Sequence, residues 1–275
     1  MAKLLRADLA RMGKSKTFLG CLIITLLVSF VITYIIVSAS WMPFDEMDWD
    51  RTILAFSAIP IFTSAAFSAL FIGEDHSGTI RNKLIIGRTR VQIYFSNLII
   101  SVFGGFILAA FGTLPPLTVA LIGGRQCFVM GAESFSLGIL VCVCALISSC
   151  AIFTLIGMLI TKKATSVTLT LILMIGAYAV TPTIRNWLDI PQTYMVTQLN
   201  EDGTVNRVFE EENPEAVRGG MRVFLETTYN TLPFGQIKLA QTKTDTRPFL
   251  PLYSLGAVVV TTAAGAAVFR KKDLK

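Results

Sequence analysis

Six long runs of apolar residues divide the sequence into segments. The runs cover residues 17–40, 52–72, 91–122, 135–161, 164–184 and 249–269. Each holds about the 20 mostly apolar residues that a transmembrane helix needs. The pattern predicts an all-α membrane protein with six transmembrane helices. Pro115-Pro116 lies near the far end of the third run and is expected to kink or break that helix, since proline lacks an N–H donor and clashes with the preceding turn.

Residues 1–16 predict a further helix that does not span the membrane. On a helical wheel the apolar residues share one face and the basic residues share the other; the two sets are Leu5, Leu9 and Met12, and Lys3, Arg6, Arg11 and Lys14. Such a pattern is typical of an amphipathic helix lying on a membrane surface, with its cations near anionic lipid headgroups. The alternative is an ordinary charged lead-in to the first span.

Basic residues concentrate on one side of the predicted membrane. They are frequent in residues 1–16, 73–90, 162–163 and 270–275, whereas the two short loops on the other side carry only Arg51 and Arg125. By the positive-inside rule, we expect both termini to be cytoplasmic in a multi-pass membrane protein. The chain then divides into an interfacial helix (1–16), five spans with a cytoplasmic link (17–184), an extracytoplasmic segment (185–248), and the last span with a basic tail (249–275).

Composition supports a membrane protein and excludes several other classes. Hydrophobic residues make up 53% of the chain and charged residues only 15%, with a mean hydropathy of +0.64. The net charge of +6 does not indicate nucleic-acid binding, because the basic residues cluster beside the apolar runs. No G-x-x-x-x-G-K-[ST] phosphate loop occurs, so the chain is not expected to bind ATP by that route. Cys142 and Cys144 have no second cysteine pair with which to form a zinc site, and His76 is the only histidine in the sequence. We therefore expect no metal, no other cofactor and no catalytic triad.

The extracytoplasmic segment 185–248 carries its own local signals. Residues 200–203 (Asn-Glu-Asp-Gly) predict a turn between strands at 193–199 and 204–209, which would pair as a hairpin. Helices are predicted at 216–229 and, short and interfacial, at 236–242. The segment is either a gate that contacts substrate or a structural cap.

The link at 73–90 is longer than two antiparallel helices need. We expect a short helix from Thr79 to Ile85, capped by Ser77 or Thr79 and ended by Gly87. Glu74 and Asp75 would lie at the membrane edge, where they could pair with cations or accept hydrogen bonds from helix-end amides. His76 would face solvent, and the cations of the link would face headgroups or a protein. On composition alone, the only role expected of these cations is to keep the loop on the cytoplasmic side of the membrane.

The pattern Glu74-x-x-x-Gly78-Thr79-Ile80-Arg81-Asn82-Lys83-Leu84-Ile85-x-Gly87-x-x-Arg90 resembles the loop between the second and third helices of type-2 ABC transporter permeases. The order of elements along the whole chain is also similar to the membrane subunits of bacterial antibiotic, antimicrobial-peptide and sodium exporters. This similarity implies a location in the bacterial plasma membrane. In that family this loop is the coupling helix, which docks on the cytoplasmic ATPase.

The resemblance implies specific partners and roles. The partners would be a cytoplasmic ABC ATPase dimer, a second copy of this or a related permease, and membrane lipid. ATP hydrolysis would occur in the ATPase subunit and drive export of an antimicrobial peptide or antibiotic. The coupling role would fall to Glu74, Gly78, Thr79, Arg81, Lys83, Gly87 and Arg90. Without the resemblance, an ATP-independent secondary carrier or a membrane sensor remains open.

Overall fold

The computed structural model describes residues 1–39, 48–123, 129–199, 205–242 and 247–271. The helices are α1 (Ala2–Lys14), α2 (Lys16–Ala39), α3 (Trp49–Phe56), α4 (Ala58–Glu74), α5 (Ile80–Ile85), α6 (Arg90–Gly123), α7 (Ala132–Leu159), α8 (Lys163–Leu188), α9 (Gly219–Thr231), α10 (Pro233–Ala240) and α11 (Leu250–Lys271). A π-helical turn (Asp75–Thr79) joins α4 to α5. Strands β1 (Thr193–Leu199) and β2 (Val205–Glu212) form one antiparallel pair.

Within the described residues, six helical stretches are long and apolar enough to cross a membrane, which confirms the predicted number. They are Lys16–Ala39, Trp49–Glu74, Arg90–Ile122, Ala132–Leu159, Lys163–Leu188 and Leu250–Arg270. The second consists of α3 followed by α4. We call the end of the bundle that carries α1 and α5 the basic end, and the end that carries α3, the hairpin, α9 and α10 the hairpin end.

Pro115 and Pro116 do not break the third span, so of the two expected effects, a kink or a break, the break is wrong. The helix α6 continues through both prolines to Gly123. Proline at position 116 removes the N–H that would bond to the carbonyl of Gly112. The hydroxyl of Ser29, on α2, donates a hydrogen bond to that carbonyl instead. A neighbouring helix thus satisfies the freed backbone group, as a membrane interior requires.

The helices pack closely where small residues meet large ones. The ring of Phe67 is fully buried between Phe18 and Phe71, with ring centroids 5.2 and 5.3 Å away. Gly104 of α6 lies directly against this ring. Buried hydroxyl groups in the same helices, such as Ser68, bond to carbonyls of their own helix. These features are typical of close helix packing in membrane proteins.

Substitution of Gly104 by alanine is expected to destabilise the bundle. An added Cβ would lie 2.5 Å from Cε1 of Phe67, whose ring has no room to move. Overpacking of this kind costs about 1–3 kcal/mol, which outweighs the better helix propensity of alanine. The apparent melting temperature in detergent would fall. Gly20→Ala is the control, because nothing lies within 4 Å of its added Cβ and a small gain is expected. A gain from both substitutions would contradict the packing described here.

The segment at the hairpin end follows the predicted order. The two strands are paired as expected, although the predicted turn at 200–203 falls outside the described residues. The predicted helix at 216–229 begins at Gly219, and the short helix begins earlier than predicted, since Pro233 occupies its first turn. Gln236 is fully buried, donates to the carbonyl of Asn230 and accepts from Ser254 of α11, at 2.7 Å each. These bonds fix α10 to the last span.

Candidate functional site

The segment 73–90 at the basic end is an extension of the second span. The backbone stays helical from Ala58 through the π-helical turn to Ile85. Thr79 has helical dihedral angles (φ −64°, ψ −38°), and no side chain caps α5. The expected cap at Ser77 or Thr79 is therefore wrong, because a helix that continues has no free N–H groups to satisfy there. The π-helical turn interrupts the regular repeat of the helix at this point, as such turns often do at functional sites.

Gly87 ends this helix as predicted. Its φ of +84° lies in the left-handed region that favours glycine. The N–H of Gly87 bonds to the carbonyl of Leu84 at 2.9 Å, and that of Arg88 bonds to the carbonyl of Lys83 at 3.1 Å. This pair of bonds is a Schellman motif, which satisfies carbonyls at the helix end and reverses the chain. The chain then enters α6 at Arg90.

Three buried charged residues and the partly buried Arg11 meet where α1 contacts this extension; we call Asp8, Arg11, Asp75 and Lys83 the buried cluster. The Lys83 Nζ atom lies 2.8 Å from Oδ1 of Asp8 and 3.0 Å from Oδ2 of Asp75. Arg11 pairs with Asp75, and its guanidinium lies 4.0 Å from the ring centroid of Phe71. Lys83 is only 8% exposed and Asp75 is fully buried.

The charges of the buried cluster balance, with two carboxylates against two cations. Burial of ions is tolerated only when partners and hydrogen bonds replace the lost water. Asp8 satisfies this condition by accepting a second bond, at 2.7 Å, from the hydroxyl of Ser96 on α6. The cluster therefore joins α1, α5 and α6 through interactions that are costly to break one at a time.

The helix α1 packs on protein rather than presenting a purely apolar face to lipid. Met12 is buried, and Leu5 and Leu9 pack against the group formed by Phe18, Phe67, Phe71, Ile100 and Leu108. Leu4, Asp8 and Met12 are its buried residues. The expectation that all its cations face headgroups is wrong for Arg11, which turns toward Asp75. Lys3, Arg6 and Lys14 are exposed, as predicted.

A second set of contacts joins the same extension to the first and fifth spans. Glu74 pairs with Lys163 at 3.0 Å and accepts a hydrogen bond from Thr17 at 2.6 Å. Gly73 permits this approach, because an added Cβ would lie 2.8 Å from Cγ of Lys163. His76 does not simply face solvent, since its Nε2 lies 3.0 Å from the carbonyl oxygen of Gly157 on α7.

The outward side of the extension is basic and apolar. Arg81 and Asn82 are exposed, and Ile85 and Ile86 are 77% and 76% exposed. We call Arg81, Ile85 and Ile86 the tip. Ile85 and Ile86 lie beyond Glu74, where the second candidate span ends, and give this surface two adjacent exposed aliphatic side chains.

The structure divides the seven residues of the sequence pattern between two environments. Lys83 faces inward into the buried cluster, which overturns the expectation that it faces headgroups or a partner, and Glu74 lies in the second set of contacts. Arg81 faces outward, Gly78 and Thr79 lie in the π-helical turn, Gly87 ends the helix, and Arg90 begins α6. Asp75 pairs with cations, as expected, whereas Asp8 and Arg11 are not among the predicted residues of this site. The signal for Asp8 was present, since it stands four residues from both Leu4 and Met12 on the packed face of α1.

No group of three or more metal-binding side chains occurs within the described ranges. A family model described as ABC-2 family transporter protein matches residues 4–177. No curated protein sequence matches the chain.

Proposed function

The chain belongs to the ABC-2 family of transporter membrane proteins, and we propose that its extension at 73–90 receives the movement of an ATPase subunit. The chain is the membrane permease of such a transporter, and this permease domain lacks ATPase activity. Permeases of this family generally pair with an ABC ATPase. The tip, exposed beyond the end of the second span, is the observation that carries the proposal.

We assign the docking contact to the outward residues of the extension. Ile85 and Ile86 would be buried against an apolar groove of the ATPase, and Arg81 would meet an acidic group there. The Schellman motif at Gly87 holds the tip at the end of a continuous helix, so that displacement of the tip is carried by helix rather than by a flexible loop. This assignment places the basic end in the cytoplasm, in agreement with the distribution of Lys and Arg.

The inward residues of the extension distribute that movement. The buried cluster fixes the extension to α1 and α6, while Glu74 fixes it to Lys163 at the start of α8. A push on the tip would therefore shift the ends of several spans together. This is the role that we propose for Glu74 and Lys83, with Gly78, Thr79 and Arg90 as parts of the same rigid segment.

We further propose that the transporter is an exporter of an antimicrobial peptide or antibiotic that works as a pair of permeases over two ATPase subunits. The resemblance of the 74–90 pattern to permeases of such exporters supports this assignment. The test is to express the chain with candidate ABC ATPases and to measure co-purification, ATPase rate and resistance to candidate peptides. Function without any ATPase would instead indicate a secondary carrier or a sensor.

Single substitutions distinguish the role of the outward residues of the extension from the role of its inward residues. Arg81→Ala is expected to weaken co-purification of the ATPase severalfold without changing the melting temperature, since Arg81 is exposed. Glu74→Ala is expected to leave the complex assembled but to lower its transport rate, since Glu74 contacts Thr17 and Lys163 within the chain. Co-purification and transport assays on both variants check this. If both variants assemble and transport as the parent does, the coupling assignment is wrong.

A further inference from the structure

A cavity of about 680 Å³ lies at the hairpin end, which is the end of the bundle opposite the extension. Its walls come from the junction of α3 and α4, the part of α8 nearest the hairpin, and the helices α9 and α10. Its volume falls within the range of about 300–1,000 Å³ that is usual for sites of small ligands. Tyr178, Ala179 and Pro182 of its α8 wall are exposed, so the cavity is open along this candidate span.

One part of the wall is apolar and held in place. Phe234 packs against Tyr178, with ring centroids 5.4 Å apart, and against Phe62 at 4.9 Å. Ala55, Ala58 and Ile237 extend the same surface. An aromatic wall of this kind favours a hydrocarbon chain or ring as its occupant.

The other part of the wall is cationic. Arg185 and Lys238 line the cavity, together with the amides of Asn186 and Gln241, and none of the described residues that line it carries a carboxylate. Arg185 is paired with Asp189 through Nε at 2.7 Å, which leaves Lys238 as the excess charge. Lys238 is exposed and has no ion-pair partner among the residues that the structure describes.

The two parts are arranged along the axis of α8. Seven residues separate Tyr178 from Arg185, which corresponds to about 10 Å along a helix. Arg185 stands three residues before the end of the candidate span Lys163–Leu188, where headgroups of a bilayer would lie. A ligand that fills the cavity therefore meets an apolar wall at membrane depth and cations at the membrane edge.

We propose that this cavity binds an anionic lipid of the leaflet at the hairpin end. The acyl chain lies against Tyr178 and Phe234, and the anionic headgroup lies between Arg185 and Lys238. The site goes beyond the coupling role and does not depend on it, because none of its residues belongs to the extension or to the buried cluster.

The test uses the full chain purified in a neutral detergent. Binding of phosphatidylglycerol, phosphatidylcholine with the same chains, and glycerol phosphate alone is measured by native mass spectrometry. Phosphatidylglycerol is expected to bind at least tenfold more tightly than phosphatidylcholine, and glycerol phosphate is expected not to displace it. Equal binding of the two lipids would overturn the proposal, as would binding of glycerol phosphate with the affinity of the lipid.

Matched variants locate the site. Lys238→Gln and Arg185→Gln are expected to lower the affinity for phosphatidylglycerol at least fivefold each. Arg51→Gln is the control, because Arg51 is similarly exposed and paired with Asp48 near the same end. Ala179→Trp is expected to block the cavity, whereas Val180→Trp, on an exposed position outside it, leaves binding unchanged. An equal loss in Arg51→Gln and Lys238→Gln, or in Ala179→Trp and Val180→Trp, would contradict the assignment.

Discussion

Replacement of Lys83 by methionine is expected to lower the free energy of unfolding by about 3–5 kcal/mol. Lys83 is the cation between Asp8 and Asp75, and its removal leaves two buried carboxylates with Arg11 alone. Methionine is similar in length and apolar, so the loss reflects charge rather than a cavity. To measure the change, the protein is heated in detergent, and the fraction that is still monodisperse is then determined by size-exclusion chromatography.

Two further variants show whether the buried cluster acts as described. Arg81→Met removes an exposed cation from the same helix and should change stability by less than about 0.5 kcal/mol. Asp8→Leu combined with Lys83→Met removes one charge of each sign and leaves the neutral pair of Arg11 and Asp75. Most of the lost stability should return, because a buried ion pair replaced by apolar residues is often neutral. Equal losses in Arg81→Met and Lys83→Met, or a double variant less stable than Lys83→Met, would refute the buried cluster.

The double substitution Ile85→Ser and Ile86→Ser is expected to weaken association with the ATPase at least about a hundredfold. Full burial of an isoleucine side chain contributes about 1.5–3 kcal/mol, and each 1.4 kcal/mol is tenfold in affinity. Both side chains are more than three-quarters exposed in this chain, so its own stability should not change. The dissociation constant of the complex and the melting temperature of the permease are measured side by side.

The matched control lies at the opposite end of the bundle. Leu121 and Ile122, 66% and 83% exposed, end the third span at the hairpin end. Leu121→Ser with Ile122→Ser removes a similar apolar pair but should leave association with the ATPase unchanged. If this control weakens the complex as much as the tip variant does, detergent or lipid effects explain both results and the docking surface is not at the tip.

Much of the fold can be predicted from the pattern of apolar and polar residues along the sequence. Apolar runs near 20 residues identify the six spans, and the order of strand and helix signals anticipates the hairpin, α9 and α10. The same patterns do not show that α6 continues through Pro115 and Pro116, because the compensating hydroxyl of Ser29 lies on another helix, 83 residues before the carbonyl of Gly112 that it bonds. Local propensity cannot include a hydrogen bond of that kind.

The candidate site shows the same limit. Gly87 was correctly placed because its role is local: a helix end with positive φ. Lys83 was expected to face outward because cations usually do, whereas its direction depends on Asp8, 75 residues earlier in the chain. The π-helical turn also displaces the faces of α5 relative to α4, so a helical wheel drawn through the segment assigns the inward residues wrongly.

The most direct test of the coupling assignment is site-specific photo-crosslinking at position 86. A photoreactive side chain is introduced there or, as the control, at position 122, and the permease is expressed with the ABC ATPase that co-purifies with it. We expect a covalent permease–ATPase adduct from position 86, changed in yield by ATP, and none from position 122. An assembled, active complex that gives no adduct at position 86, or an equal one at position 122, would contradict the assignment.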